Sequence, residues 1–148
     1  MIINSTFKPA PWLRNPHLQT IFAGLVRPSP ELHTRRERIE LPDGDFIDAD
    51  WVGDESPDAP VVIVFHGLMG SIESRYARGL LKQIAKRGWR GVMMHFRGAT
   101  GVNRLPRGYH SGETEDPRFF INLLRKREPH TTLAAVGYSL GGNVLLKY

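Results

Sequence analysis

The chain has 148 residues, no cysteine and a formal net charge of +5, with 41% hydrophobic and 24% charged residues. That length and balance suit one globular domain with a real core and exclude wholesale disorder. The absence of thiols excludes a disulfide framework and thiolate metal sites, and it fits a reducing compartment, so a cytoplasmic location is expected.

No apolar run approaches a membrane span, and the first residues lack a charged segment followed by an apolar one, so neither an integral span nor a signal peptide is expected. The positive charge is spread over Arg35-Arg36, Lys86-Arg87-Gly88-Trp89-Arg90 and Arg125-Lys126-Arg127. Each cluster falls at the edge of an element and no recognition motif accompanies it. Solvated surface, not a nucleic-acid partner, is the expectation.

Residues 1–13 read as an irregular arm, because Pro9 and Pro11 interrupt any regular structure and leave Trp12 and Leu13 to pack. Asn15-Pro16 starts a helix, an N-cap followed by proline at the first helical position. Leu18, Ile21, Phe22, Leu25 and Val26 recur on one face of it until Pro28 and Pro30. This arm and helix, residues 1–34, precede a single unit over residues 35–148. Strands over 37–41 and 46–52 flank Pro42-Asp43-Gly44, a hairpin that suits the antiparallel edge of a mostly parallel sheet. After a polar loop over 54–60, the run Val61-Val62-Ile63-Val64-Phe65-His66 has the β-branched composition of a strand buried on both faces.

Gly67-Leu68-Met69-Gly70 closes that strand. Ser74 is the expected N-cap of a helix with Tyr76, Leu80, Leu81 and Ile84 inward, which Gly88 ends in the left-handed conformation. A short buried strand follows over 91–96. Residues 97–116 show no periodicity, and a loop of that length inside a domain is usually functional. Asp116-Pro117 then caps a helix carrying Phe119, Phe120, Leu123 and Leu124, stopped by Pro129. A strand over 131–136 leads into Gly137-Tyr138-Ser139-Leu140-Gly141-Gly142, and a helix follows over 143–148. Strand and helix alternate, so the expected fold is α/β with its active face at the carboxyl ends of the parallel strands.

Strand, G-x-S-x-G, helix is the pattern of a nucleophile elbow, with Ser139 on a strained turn. By chance alone the motif would follow about one serine in a hundred, so the strand–turn–helix context and the separate His66-Gly67 turn carry the weight. Serine needs a base to take its proton, and the carbonyl oxygen needs donors as it turns anionic. Leu140 N–H, just after the nucleophile, is one expected donor. Leu68 N–H is the expected second, with Met69 next. The stretch is neither a dinucleotide fingerprint nor a P-loop, so no cofactor is expected. The base candidates are His17, His33, His66, His95, His110 and His130. His66 and His95 fall at strand ends on the active face, His66 more as part of the oxyanion turn, and His110 lies in a loop within reach. Their spacing gives no metal site.

The chain resembles the α/β-hydrolase fold and, within it, the YheT-like family of hydrolases related to the animal abhydrolase-domain lipases and esterases. The resemblance covers nearly the whole chain. It rests on Arg14-Asn15-Pro16-His17-Leu18-Gln19-Thr20, His66-Gly67-Leu68-Met69-Gly70 with Glu73-Ser74, and His95-Phe96-Arg97-Gly98. Asn103-Arg104, Tyr109-His110-Ser111-Gly112-Glu113-Thr114-Glu115-Asp116 and the elbow through Asn143 complete it. Ala99-Thr100 departs from the Cys-Ser more often seen there. The resemblance implies a hydrolase of carboxylic esters, short or medium acyl esters or acylglycerols, with Ser139 as nucleophile and Leu68 and Leu140 as oxyanion donors. It also implies a triad acid and histidine later in the order Ser, Asp, His, beyond Tyr148. The chain is therefore expected to be truncated after the elbow and nearly inactive alone. The alternatives are thioesterase or related chemistry on the same fold, or a non-catalytic product serving as a binding module.

Overall fold

The structure, a computed structural model, describes residues 5–26, 28–53 and 55–148, with the side chains of all of these except Ala23 and Leu25. Its elements are α1 (Pro16–Ile21), β1 (Arg35–Glu40), β2 (Phe46–Gly53), β3 (Val61–Phe65), α2 (Arg75–Lys86), β4 (Arg90–Met94), α3 (Glu115–Arg127), β5 (Leu133–Gly137) and α4 (Leu140–Lys147), with a π-helical turn, Phe22–Val26, after α1. The strands form one five-stranded sheet in the order β1-β2-β4-β3-β5. β4, β3 and β5 run parallel, while β2 is antiparallel to both β1 and β4. The expected α/β sheet with an antiparallel N-terminal hairpin is present.

The sheet is buried on both faces because β3 and β4 are apolar on both. Val61, Ile63 and Phe65 face one core with Val92, Met94, Phe120, Leu124 and Val144. Val62 and Val64 face the other with Met93, Ala77, Leu81 and Ile84. Alternate residues of a strand point to opposite faces, so one uninterrupted run fills both cores. Phe65 is level with Met94 on one side and Gly137 on the other. The three segments that follow these residues therefore leave the sheet on one rim.

Helix faces differ in detail from the pattern. In α2 the buried residues are Ala77, Leu81 and Ile84, whereas Tyr76 is turned outward and only partly covered. Tyr76 instead accepts a hydrogen bond from Gly67 N–H at 3.1 Å. Ser74 is the N-cap by position but makes no capping bond; its hydroxyl accepts from Ser71 N–H. Gly88 does end α2 at φ 70°. In α3 the N-cap is Thr114, and Asp116 lies inside the helix, buried. Helix α4 begins at Leu140, three residues before the expected start, because Gly141 and Gly142 are helical.

Asn15 caps α1 as expected, accepting from His17 and Leu18 N–H. No residue of α1 is buried, and Leu18, Ile21 and Val26 are exposed, so this apolar face does not enter the core. The Leu25 side chain lies outside the described residues. Residues 5–13 are irregular, with Trp12 packed edge-on against Phe22 at 5.0 Å. Met1, Ile2, Ile3 and Asn4 lie outside the description, as do Arg27 and Asp54, the latter the first residue of the expected polar loop.

Buried charge joins the hairpin to the aperiodic stretch. Arg97, only 3% exposed, donates to both carboxylate oxygens of Asp116 and also to Asp43 and Asp45. Asp45 also accepts from Asn103 and from the Arg104 and Phe46 N–H groups. Arg90, expected on the solvated edge, is buried and paired with Glu128. Burial pushes the Asp45 carboxyl up, but these hydrogen bonds and the Arg97 charge outweigh it and bring it to about 2. Asp50 also comes to about 2, since bonds from His95 and Arg36 outweigh burial.

Removing one partner from a buried charge cluster leaves the others uncompensated, a loss of about 3–5 kcal/mol. Arg97→Met should therefore lower the urea-unfolding free energy by that order, while Arg104→Met, at a half-exposed pair with Glu40, should barely move the midpoint. Acid should act on the same network. Asp45 and Asp50 titrate at about 2 in the fold, against about 3.9 in an unfolded chain. Between those values the unfolded chain binds more protons, so stability is complete above about pH 4 and falls as pH drops towards 2. Asp45→Asn should be less stable at pH 7 yet lose less on acidification in unfolding curves taken from pH 7 to 2.5.

Candidate active site

Ser139 links β5 to α4 at φ 50° and ψ −115°. A side-chain-bearing residue rarely adopts this conformation, and such strain persists only where the surroundings impose it. Here they are glycines packed without space. A Cβ on Gly137 would lie 2.5 Å from the Gly141 carbonyl oxygen and from Gly142 Cα. A Cβ on Gly141 would lie 2.5 Å from the Phe65 carbonyl oxygen and 2.6 Å from that of His66. The start of α4 is thus pressed onto the end of β3, and the turn from β5 into α4 holds Ser139 at the exposed rim.

The turn after β3 is on the same rim. A Cβ on Gly67 would meet Ser139 Cβ at 3.3 Å, so the two backbones are neighbours. Within this turn the N–H groups are almost all occupied. Gly67 N–H goes to Tyr76 Oη, Met69 N–H to Tyr109 Oη at 2.9 Å, and Gly70 N–H to the Gly67 carbonyl. Leu68 N–H has no partner among the described residues. Leu140 N–H, in the first turn of α4, has no helical acceptor either, and Ser139 makes no capping bond to it. One follows Gly67, whose backbone neighbours Ser139, and the other follows Ser139 itself. Met69, the reserve candidate, is occupied and is itself at φ 55°.

Each expected histidine has a defined place. His66 is buried, and its Nδ1–H donates to the Gly67 carbonyl at 2.7 Å while its Nε2 accepts from Phe96 N–H at 3.2 Å. Burial depresses its pKa, which keeps it neutral in this two-bond tautomer. His66 is a brace for the turn. His95 is buried with Nε2 2.7 Å from Asp50 Oδ2, and Arg36 grips the same carboxylate through two bonds. This is an acid–histidine pair, but its remaining nitrogen, Nδ1, is buried and has no partner among the described residues. His110 is exposed, and its Nδ1 accepts from Gly112 N–H. His17, His33 and His130 are exposed elsewhere on the chain. Among the described residues no histidine is hydrogen-bonded to the Ser139 hydroxyl.

Two residues of the site escape sequence reasoning. Tyr76 reads as a core position at helical spacing, and Tyr109 sits in a stretch without periodicity. Both hold N–H groups of the turn through their hydroxyls. A cavity of about 680 Å³ lies elsewhere, between Arg35, Glu37, Trp51, Arg90, Arg127 and Glu128 at the amino ends of the parallel strands. Four of its charges are paired with one another, Arg90 with Glu128 and Arg127 with Glu37. The rim around Ser139, where the parallel strands end, is the candidate active site. Among the described residues no helix is long and apolar enough to cross a membrane, and no cluster of three or more acidic or histidine side chains could hold a metal ion.

A family profile for the alpha/beta hydrolase fold matches residues 60–148, from the start of β3 through the elbow and α4. The chain belongs to the alpha/beta hydrolase family. It is 48% identical over 145 residues to "Putative esterase YheT" of Escherichia coli, covering 96% of this chain and 43% of that protein. It is 29% identical to Phospholipase ABHD3 of Homo sapiens, covering 99% of this chain and 38% of that one. The chain thus spans less than half the length of these curated relatives. Among solved structures, the Pyrococcus furiosus esterase Pf2001 superposes with a TM-score of 0.61 at 21% identity, over 76% of this chain and 44% of that one. Esterase Est22 gives 0.59 at 22% identity over 91% and 46%. These two likenesses concern the fold.

The family elbow makes a contrast between adjacent glycines. Gly141→Ala would drive a Cβ into two carbonyl oxygens of the sheet and should cost about 3 kcal/mol or more. Gly142→Ala meets only the Gly137 carbonyl, at 3.1 Å, and should cost much less. Denaturant unfolding of the two variants reads the difference directly.

Proposed function

We propose that the chain carries the nucleophile and oxyanion half of a serine hydrolase of carboxylic esters. The observation that carries this reading is the pair of N–H groups, Leu68 and Leu140, unoccupied among the described residues, in the two turns that meet at a strained, exposed Ser139. Ser139 Oγ attacks the ester carbonyl carbon as a base takes its proton. The carbonyl oxygen becomes anionic and accepts from both N–H groups, each of which is worth about 3–4 kcal/mol in the transition state. The carbonyl then re-forms, and the alcohol leaves with a proton from the same base. Water attacks the resulting acyl-enzyme by the reverse sequence and releases the acid.

The base and its orienting acid lie outside these 148 residues. His66 and His95 are buried in other bonds, and His110 is bonded within its own loop. Acyl esters or acylglycerols are the substrate class, in keeping with relatives named Phospholipase ABHD3 and Monoacylglycerol lipase ABHD2. The 148-residue chain alone should hydrolyse p-nitrophenyl butyrate at close to the uncatalysed rate. A longer polypeptide containing it should turn over the ester and label with a fluorophosphonate, and Ser139→Ala should abolish both. Labelling and turnover that survive Ser139→Ala would sink the proposal.

A further inference from the structure

The stretch from Tyr109 to Gly112 touches both halves of the oxyanion site. Tyr109 Oη accepts from Met69 N–H at 2.9 Å, one residue beyond the unoccupied Leu68 N–H. Asn143 Nδ2 donates to the Ser111 carbonyl at 2.7 Å, and Lys147 Nζ donates to the Gly112 carbonyl at 3.0 Å. Leu140, Asn143 and Lys147 are spaced along one face of α4, so the helix that supplies the second donor also carries the anchors. The segment between is tightly closed, with Gly112 N–H bonded to His110 Nδ1 and Glu113 N–H to the His110 carbonyl. Its Tyr109 end is held by ring packing. Tyr109 stacks on buried Phe96 at 5.0 Å and 13°, and it meets the His66 ring edge-on at 5.9 Å.

We infer that this segment is a strap that sets the gap between the two oxyanion donors, with Tyr109 and Asn143 as its positioning residues. The inference rests on the reading of Ser139 as nucleophile. Three consequences make the strap more than a structural tie. By occupying Met69 N–H, Tyr109 leaves Leu68 N–H as the donor on that turn. By holding Met69 at a positive φ, it keeps the turn from relaxing to an ordinary conformation. By joining the turn to α4, it makes the two donors move together. Preorganised donors are effective because they need not reorient as charge develops, so a strap of this kind acts on the transition state more than on substrate binding.

The test uses a full-length polypeptide carrying this sequence, p-nitrophenyl butyrate as substrate, and an alkyl trifluoromethyl ketone, which forms a tetrahedral adduct on a serine nucleophile. Tyr109→Phe keeps the ring and its stacking and deletes only the hydroxyl. The expected result is a fall in kcat of about 10- to 100-fold, KM within about threefold, an unchanged melting temperature and a parallel loss of ketone affinity. Asn143→Ala, at an exposed position that should not disturb folding, should fall in the same direction. The double variant should lose little more than the worse single one, because both cut the same strap. Unchanged kcat in both variants overturns the inference, as does a matched loss of kcat, KM and melting temperature. A wild-type-like rate in Ser139→Ala would instead overturn the nucleophile reading beneath it.

Discussion

The constraint on which the rim around Ser139 depends is between backbones. Gly141 lies so near the Phe65 and His66 carbonyls that no side chain fits between them. This contact presses α4 onto the end of β3 and leaves the connecting residue no relaxed conformation. Ser139 takes the strain because Gly137 and Gly141 on either side have no Cβ to resist it. The same contact brings the Gly67 turn alongside the serine. Ser139 and the Gly67 turn are therefore one piece of packing.

Polar packing supports the rim from below. The loops after β3 and β4 are joined where Phe96 N–H bonds to His66, and His66 in turn bonds to the Gly67 carbonyl. Arg97 then carries the β4 loop onto Asp43, Asp45 and Asp116. These contacts explain how a stretch of some twenty residues without helix or strand remains ordered. Its hydrogen-bonding groups are met by side chains from the hairpin, where a regular element would have met them internally.

The strands follow from the sequence to within two residues, because runs such as Val61–Phe65 are apolar on both faces and few other structures tolerate that. The elbow is legible for a related reason, since its glycines are demanded by close approach. Helix faces are less legible. Tyr76 and Ala77 are neighbours on α2, and spacing alone favoured the larger ring; the structure buries the smaller residue and sends the tyrosine to Gly67 N–H. Asp116 has the identity of a cap, yet its carboxylate is committed to Arg97. The engagement of Met69 N–H depends on Tyr109, forty residues away, which no local pattern connects to the turn. Long-range side-chain bonds of this kind leave no periodic trace.

The level pairing of Phe65 with Gly137 has a kinetic consequence. The two strands are distant in sequence, so a long loop must close before they meet, and closure costs entropy before any contact offsets it. The β1–β2 hairpin can form early from near neighbours, but the meeting of the Gly67 and Ser139 turns cannot. During synthesis the Gly67 turn leaves the ribosome well before Ser139. A partly folded chain therefore contains every letter of the motif before the Gly67 and Ser139 turns have met. In a refolding experiment, protection of the β3 and β5 amides should appear together, after that of the β1–β2 hairpin.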